Sequence, residues 1–329
     1  LTNGLLQIGI WDANSNGKVD TVYGGDIQGK VWKFNLAGAT SSLWGVAFGG
    51  APLFRATDAA NVVQPITGAL SVSTGVSGGT MLHFGTGRYL SDTDAVAGGP
   101  FQVQTFYAVW DRGSASNLRR GSLREQQILS QFGTGSSAGR VMSENVVDYA
   151  THSGWFIDLR VGAAPSTGER VFGDPVVRES DILFTSSEPS GDTQCAPGLR
   201  SWAYRLGRFT GRPVLDLRQL SGGSPACPTG NCGAMVASTG GAPVTGTSFV
   251  TPQRACRVGI DAECPLPTAA QIATSCGSPD PTAVNFNADF DACVGTNTPL
   301  TCGEQAASGG AALGGPNRPC GRQSWRQVR

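Results

Sequence analysis

Charge is scarce in this chain. Asp, Glu, Lys and Arg make up 15% of its 329 residues, and 24 basic side chains cancel 24 acidic ones. A nucleic-acid surface needs a basic stripe to neutralise phosphates, so no nucleic-acid partner is expected. No apolar run approaches the about 18 residues that cross a bilayer as a helix, so no transmembrane segment is expected. No signal peptide is expected within it either. The chain opens at Leu1, without Met, and is read as a mature product or a fragment of a longer protein. Histidine occurs twice, at His83 and His152. The closest cysteines, Cys227 and Cys232, lie too far apart for the paired spacing of a zinc ribbon. Helical periodicity is wanting too; LREQQILSQF (123–132) comes nearest and fits a strand as well.

Glycine is abundant, at 47 residues, and nine cysteines are present. Short β-branched or aromatic runs recur between Gly, Asp, Ser and Pro: VDTVYGG (19–25), KVWKFNL (30–36), TMLHFGTG (80–87), QTFYAVWD (104–111), GWFIDLRV (154–161), ERVFGDPVV (169–177), DILFTSS (181–187), SWAYRL (201–206) and TSFVTP (247–252). Units pairing an aromatic strand with a Gly exit recur roughly 40 to 60 residues apart, the pattern of propeller blades. A β-sandwich shows similar alternation. The expected fold is all-β, a partial or modified β-propeller with about four blade-like units, whose closure draws on sequence upstream of Leu1. The repeated aromatics are assigned to packing between blades.

Eight of the cysteines fall in the last hundred or so residues, from Cys227 to Cys320, in a segment rich in Gly, Pro, Ser, Thr and Ala. Such a segment buries too little apolar surface to order by packing, and disulfides formed in an oxidising compartment would restrict it instead. Eight cysteines allow about 105 connectivities, so no pairs are assigned. Three regions result: propeller blades over 1–253, a disulfide-rich excursion over 254–320, and a terminal strand over 321–329 that returns to the sheet.

The stretch DANSNGKVD (12–20) carries the chemistry. Asp12, Asn14, Asn16 and Asp20 stand at positions 1, 3, 5 and 9 of a calcium-type loop, the carbonyl of Lys18 falls at position 7, and Gly17 supplies the sharp turn at position 6. Calcium takes six to eight hard oxygen ligands, which such a loop offers; magnesium demands a tighter octahedron and fits less well. Position 12 is Tyr23 rather than Glu, and the flanks LLQIGIW and TVYGGD read as strands, so this is no helix–loop–helix hand. With two charged ligands, the expected affinity is weak, roughly 10⁻⁴ to 10⁻³ M. The competing reading is a plain hairpin turn exploiting the tolerance of Asn and Gly for positive φ.

Several stretches in order, YGGDIQGKVWKFNL, LHFGTGRYLSDTD, TFYAVWDR, GERVFGDPVVRESDILFTSSEPS, SWAYRLGRFTGRPVLD and the terminal SWRQVR, resemble the C-terminal domain of the PilY proteins, tip-associated adhesins and biogenesis factors of bacterial type IV pili. The resemblance covers much of 5–220 and the tail, and omits 254–320. It implies a modified propeller at the cell surface or pilus tip of a Gram-negative bacterium. It also implies calcium held by Asp12, Asn14, Asn16, Lys18 (through its carbonyl) and Asp20. It further implies partners among minor pilins or other tip components, a host or abiotic surface ligand, and a part in twitching motility. The family loop carries more aspartates than this one.

Catalytic signals are thin. His83 lies mid-strand in LHFGTG and His152 in a turn, neither in a nucleophile motif. GTGRYL lacks the GK[ST] of a phosphate loop. No enzyme is therefore expected. The alternatives are a quinoprotein-like oxidoreductase, since GDIQGKVW resembles the Trp-docking repeat of that class although no adjacent cysteine pair is present, and a purely adhesive glycan- or matrix-binding module with a structural metal.

Overall fold

The structure, a computed structural model, describes residues 3–90, 94, 96–135, 138–190, 198–214, 232–238, 247–248 and 311–312. The first strands are β1 (Leu5–Trp11), β2 (Thr21–Asp26), β3 (Lys30–Asn35), β4 (Gly45–Val46), β5 (Phe54–Arg55), β6 (Ser71–Thr74), β7 (Thr80–Gly85) and β8 (Thr105–Asp111). They are followed by β9 (Leu118–Arg119), β10 (Arg124–Phe132), β11 (Gly139–Met142), β12 (Gly154–Val161), β13 (Val176–Arg178), β14 (Asp181–Pro189), β15 (Leu199–Gly207) and β16 (Cys232–Ser238). A short pair, β17 (Thr247–Ser248) and β18 (Ala311–Ala312), runs parallel.

One sheet runs β1-β2-β3-β5-β9, with β4 on β3. The other runs β13-β14-β15-β16-β11-β10-β12-β8-β7-β6. Blade-like antiparallel runs are visible within it: β6-β7-β8-β12 and β13-β14-β15-β16. The β10–β11 hairpin joins them, with β10 parallel to β12 and β11 antiparallel to β16. The blades are therefore continuous with one another rather than separate sheets. The two ends of the large sheet, β6 and β13, come back against each other. The fold is the all-β, modified propeller that the sequence implies.

Strand alternation explains the central runs. Along β8, Phe106, Ala108 and Trp110 face one core, and Tyr107 and Val109 face a second. Along β12, Trp155, Ile157 and Leu159 face the first, and Phe156 the second. A strand buried on both faces needs apolar residues at nearly every position, so these segments read as unbroken hydrophobic runs. The first core lies between the two halves of the curled large sheet, where Phe106 stacks on Phe184 with ring centroids 3.7 Å apart and Phe184 stacks on Tyr204 at 4.5 Å. The second lies between the outer face of β7-β8-β12 and the smaller sheet, with Tyr23, Val31 and Phe54 as its contribution. Trp155 and Trp202 are fully buried, which fits packing as the role of the repeated aromatics.

Two stretches settle differently from their sequence appearance. LREQQILSQF contains β10, not a helix: Gln126 and Ile128 point inward while Gln127 and Leu129 point out, and pairing on both sides overrides the helical preference of Gln, Glu and Leu. In ERVFGDPVV the ladder is confined to Val176 and beyond, with an isolated bridge from Arg170 to Ser187. Pro175 has no N–H to give, and the Glu169 side chain is drawn into a buried ion pair.

By contacts, Leu1–Ser248 with Ser308–Leu313 form one unit, and Phe249–Ala307 with Gly314–Arg329 a second. The second unit lies outside the described residues, and so do the cysteine-rich excursion expected over 254–320, apart from Ala311–Ala312, and the terminal strand expected over 321–329.

Candidate functional site

The β1–β2 hairpin positions the candidate loop. Trp11 pairs with Thr21, so residues 12–20 form the connection, and the Asp20 N–H donates to the Trp11 carbonyl at 2.9 Å, closing its base. The Asp20 carbonyl accepts the Leu36 N–H at 2.8 Å, tying the loop to the end of β3. Positive φ falls at Ser15 (57°) and Gly17 (83°). Glycine at the second position matches the sequence reading; at the first, serine takes the left-handed turn in place of either neighbouring asparagine.

Inside the loop, the polar side chains turn inward and bond backbone N–H groups. Asp12 Oδ2 accepts from Gly17 at 2.7 Å and Asp12 Oδ1 from Asn16 at 3.2 Å. Asn14 Oδ1 accepts from Asn16 at 3.1 Å, and Asn16 Oδ1 from Lys18 at 2.9 Å. Asp20 Oδ2 reaches back to Ala13 at 2.8 Å. The structure thus brings all four side-chain oxygens into one nine-residue turn. Each oxygen has a second lone pair beyond the N–H it accepts, so bonding to the backbone leaves coordination capacity. The donor set is oxygen-only and includes two carboxylates, chemistry that suits a hard cation such as calcium. Among the described residues, no cluster of three or more His, Cys, Asp or Glu offers a metal site. A metal here would therefore depend on amide and carbonyl oxygens as well as carboxylates.

Behind the hairpin, Asp26 anchors the GDIQG turn. Its Oδ1 accepts the Lys30 N–H at 2.8 Å, and its Oδ2 accepts Asn3 Nδ2 at 2.7 Å and Trp32 Nε1 at 2.9 Å. Further in, Asp111 accepts Lys33 Nζ at 2.6 Å and the Tyr23 hydroxyl at 2.7 Å. Burial, with the Asp111 charge beside it, pushes the Tyr23 hydroxyl far above its ordinary range. These contacts hold the strands that carry the loop.

The two histidines occupy structural positions. His83 is fully buried in β7; its Nε2 donates to the Arg208 carbonyl at 3.0 Å, which also receives Trp155 Nε1 at 3.0 Å. Burial lowers its pKa to about 4. His152 sits in a turn against Asp148. Sequence reading missed the buried ion pairs: Arg140 with Glu169 at 2.7 Å, which also accepts the Tyr204 and Ser186 hydroxyls, and Arg120 with Asp158 at 2.6 Å. The partners lie 29 and 38 residues apart in sequence, so no local spacing reveals them.

Residues 1–136 match the family described as the PilY1 beta-propeller domain. Over 340 aligned residues and 99% of its length, the chain is 31% identical to a type IV pilus biogenesis factor PilY1 homolog of Xylella fastidiosa. It is 34% identical over 243 residues to the type IV pilus biogenesis factor PilY1 of Pseudomonas aeruginosa PAO1, a match covering 64% of the chain. In both cases the chain spans about a fifth of the relative's length, 21%. The crystal structure of the Pseudomonas aeruginosa PilY1 C-terminal domain superposes with a TM-score of 0.60 at 28% identity, over 72% of this chain and 55% of that one.

Proposed function

The chain belongs to the PilY1 family, and from that premise we propose that it is the calcium-binding propeller of a type IV pilus tip adhesin. In this reading it is not an enzyme. It works at the cell surface, with minor pilins or other tip components as partners, in pilus biogenesis, the balance of extension and retraction, and attachment to host or abiotic surfaces. The relatives' description as pilus biogenesis factors supports that placement. The buried, disulfide-bonded Cys232 supports cross-linking of the cysteine-rich part in an oxidising compartment.

The single observation that carries the metal reading is the inward turn of Asp12 and Asp20 from opposite ends of one loop, with Asn14 and Asn16 between them. Those four side chains and the Lys18 carbonyl would hold the ion. A bound calcium ion supplies a double positive charge on which hard oxygens converge. What the chain's own residues contribute is a partly prepared turn: the N–H bonds favour the conformer with the oxygens facing inward, and binding completes the ordering. Without the ion, two carboxylates share one short turn and repel, and the loop's population spreads among conformers; this difference is the physical basis for a switch.

The test is made in the intact protein, in a strain lacking its own copy. Asp12→Ala should alter the number of surface pili and twitching relative to the unaltered protein. Identical piliation and twitching in the two strains would contradict the reading.

A further inference from the structure

Arg170 is buried, yet its charge is poorly met. Its side chain is 9% exposed, and its carboxylate partner among the described residues, Asp94, stands at 3.8 Å. Asp94 is shared with Arg88, at 3.7 Å. The other deeply placed arginines differ: Arg140, Arg120 and Arg205 each hold a carboxylate at 2.6 to 2.7 Å. The consequence shows in their basicity. Burial, aided by the Arg88 charge, leaves Arg170 below its ordinary pKa, with Asp94 offsetting only part. Burial also works against Arg140, but Glu169 and the Tyr204 hydroxyl carry it above.

Arg170 lines a cleft of about 400 Å³ that also presents Arg88 and Asp94, with Phe101, Pro65, Pro100 and Leu90 as its apolar part. The guanidinium is fixed in place. Its Nε donates to the Gly168 carbonyl at 2.8 Å and its Nη1 to the Arg88 carbonyl at 3.0 Å, while the group stands 5.8 Å from the Phe101 ring centre. Two glycines make room: at Gly87 (φ 115°) a Cβ would run into Arg170, and at Gly168 (φ 83°) one would lie 2.9 Å from the Phe101 ring. Charge, rigidity and an apolar wall are thus assembled around one opening.

Most polar side chains of the cleft are otherwise committed; Gln104 Oε1, buried without a partner, is the exception. Gln102 Nε2 donates to Asp58 Oδ2 at 3.0 Å and to the carbonyls of Val62 and Val63, so its Oε1 is the acceptor that receives Gln104 Nε2 at 3.1 Å. The Thr67 hydroxyl donates to the Gly87 carbonyl at 2.8 Å. A polyhydroxylated ligand needs several open hydrogen-bond groups, and Gln104 Oε1 supplies one. A carboxylate on an apolar frame needs a guanidinium and a hydrophobic wall.

We propose that this cleft is a binding site for a peptide carboxylate, seated on Arg170 and Arg88 with its flanking apolar side chains against Phe101, Pro65 and Leu90. The carboxylate comes from an acidic side chain or from a chain terminus. The proposal shares no residue with the 12–20 loop and stands whether or not that loop binds calcium.

The test titrates three peptides into the 329-residue chain by calorimetry, with a chelator present so that the metal loop plays no part. Acetyl-Leu-Phe-Glu-amide carries only a side-chain carboxylate, acetyl-Leu-Phe-Ala only a terminal one, and acetyl-Leu-Phe-Gln-amide neither. At least one of the first two should bind, and the neutral peptide about tenfold or more weaker, the loss expected when a charge-assisted bond is removed. Which one binds identifies the source. Arg88→Gln, at a half-exposed position, should weaken binding by a similar factor while leaving the urea midpoint in place. Equal binding of the neutral peptide, no binding of any peptide at millimolar concentration, an unaffected Arg88→Gln, or glucuronate binding where the peptides do not would each overturn the proposal.

Discussion

Asp12 and Gly17 close the candidate loop on itself: the carboxylate Oδ2 accepts the glycine N–H at 2.7 Å, across a turn that Gly17 makes at φ 83°. The same carboxylate accepts the Asn16 N–H through its other oxygen. Asp12 thereby orders the loop before any ion is considered. In chelator, Asp12→Ala should lower stability by about 0.5 to 2 kcal/mol, the usual cost of losing a side-chain cap on backbone donors. Asp12→Asn keeps an oxygen in place and should lose less. Urea unfolding of the three proteins in chelator measures the difference.

Glu169 is a buried acceptor for Arg140, Tyr204 and Ser186. Truncating it leaves the Arg140 guanidinium in the core without its counter-charge. Glu169→Ala should therefore cost about 3 to 5 kcal/mol. Tyr204→Phe, which removes one hydroxyl and leaves the ion pair, should cost about 1 to 3 kcal/mol. Denaturant midpoints of the two variants give the comparison.

Burial holds His83 at a pKa of about 4, below its ordinary value of 6.5. The unfolded chain therefore takes up a proton at a pH where the folded one does not. The neutral ring's contribution is fully present above pH 6.5, declines as pH falls toward about 4, and levels off below that. The loss is on the order of 3 kcal/mol across this window. His83→Gln should flatten the dependence of stability on pH between 6.5 and 4, although it also weakens the bond to the Arg208 carbonyl at every pH. Urea midpoints at a series of pH values test the slope.

Asp26 faces three donors: the Lys30 N–H, Asn3 Nδ2 and Trp32 Nε1. Asn in its place offers one oxygen, and its amide nitrogen would meet a donor. Asp26→Asn should cost about 1 to 3 kcal/mol through the donor left unmatched. Unfolding monitored by tryptophan fluorescence measures the cost.

The strands around both cores are legible in the sequence for a physical reason. Phe106 to Trp110 and Trp155 to Ile157 must satisfy a core on each face, so they stand out as apolar runs. β10 is harder to read because Gln126, Gln127 and Leu129 favour a helix in isolation, and only pairing to β11 and β12 decides the matter. β11 and β16 carry small residues such as Gly139, Gly233 and Ala234, which give little apolar signal of their own. The 12–20 loop is legible because its ligand candidates are contiguous and their spacing is the signal. The Arg170 cleft is not: Arg88 and Arg170 lie in GTGRYL and GERVFGD, stretches conspicuous as family motifs, but their approach to Phe101 depends on how the loops fold over β7 and β8.

The most direct test is a calcium titration of the 12–20 loop, by calorimetry on the 329-residue chain alongside Asp12→Ala and Asp20→Ala. A dissociation constant of roughly 10⁻⁴ to 10⁻³ M is expected for the unaltered chain, with binding lost in both variants. At 10 mM calcium, that affinity stabilises the fold by about 1.4 to 2.7 kcal/mol. No heat of binding at millimolar calcium, or equal binding by all three proteins, would contradict the account.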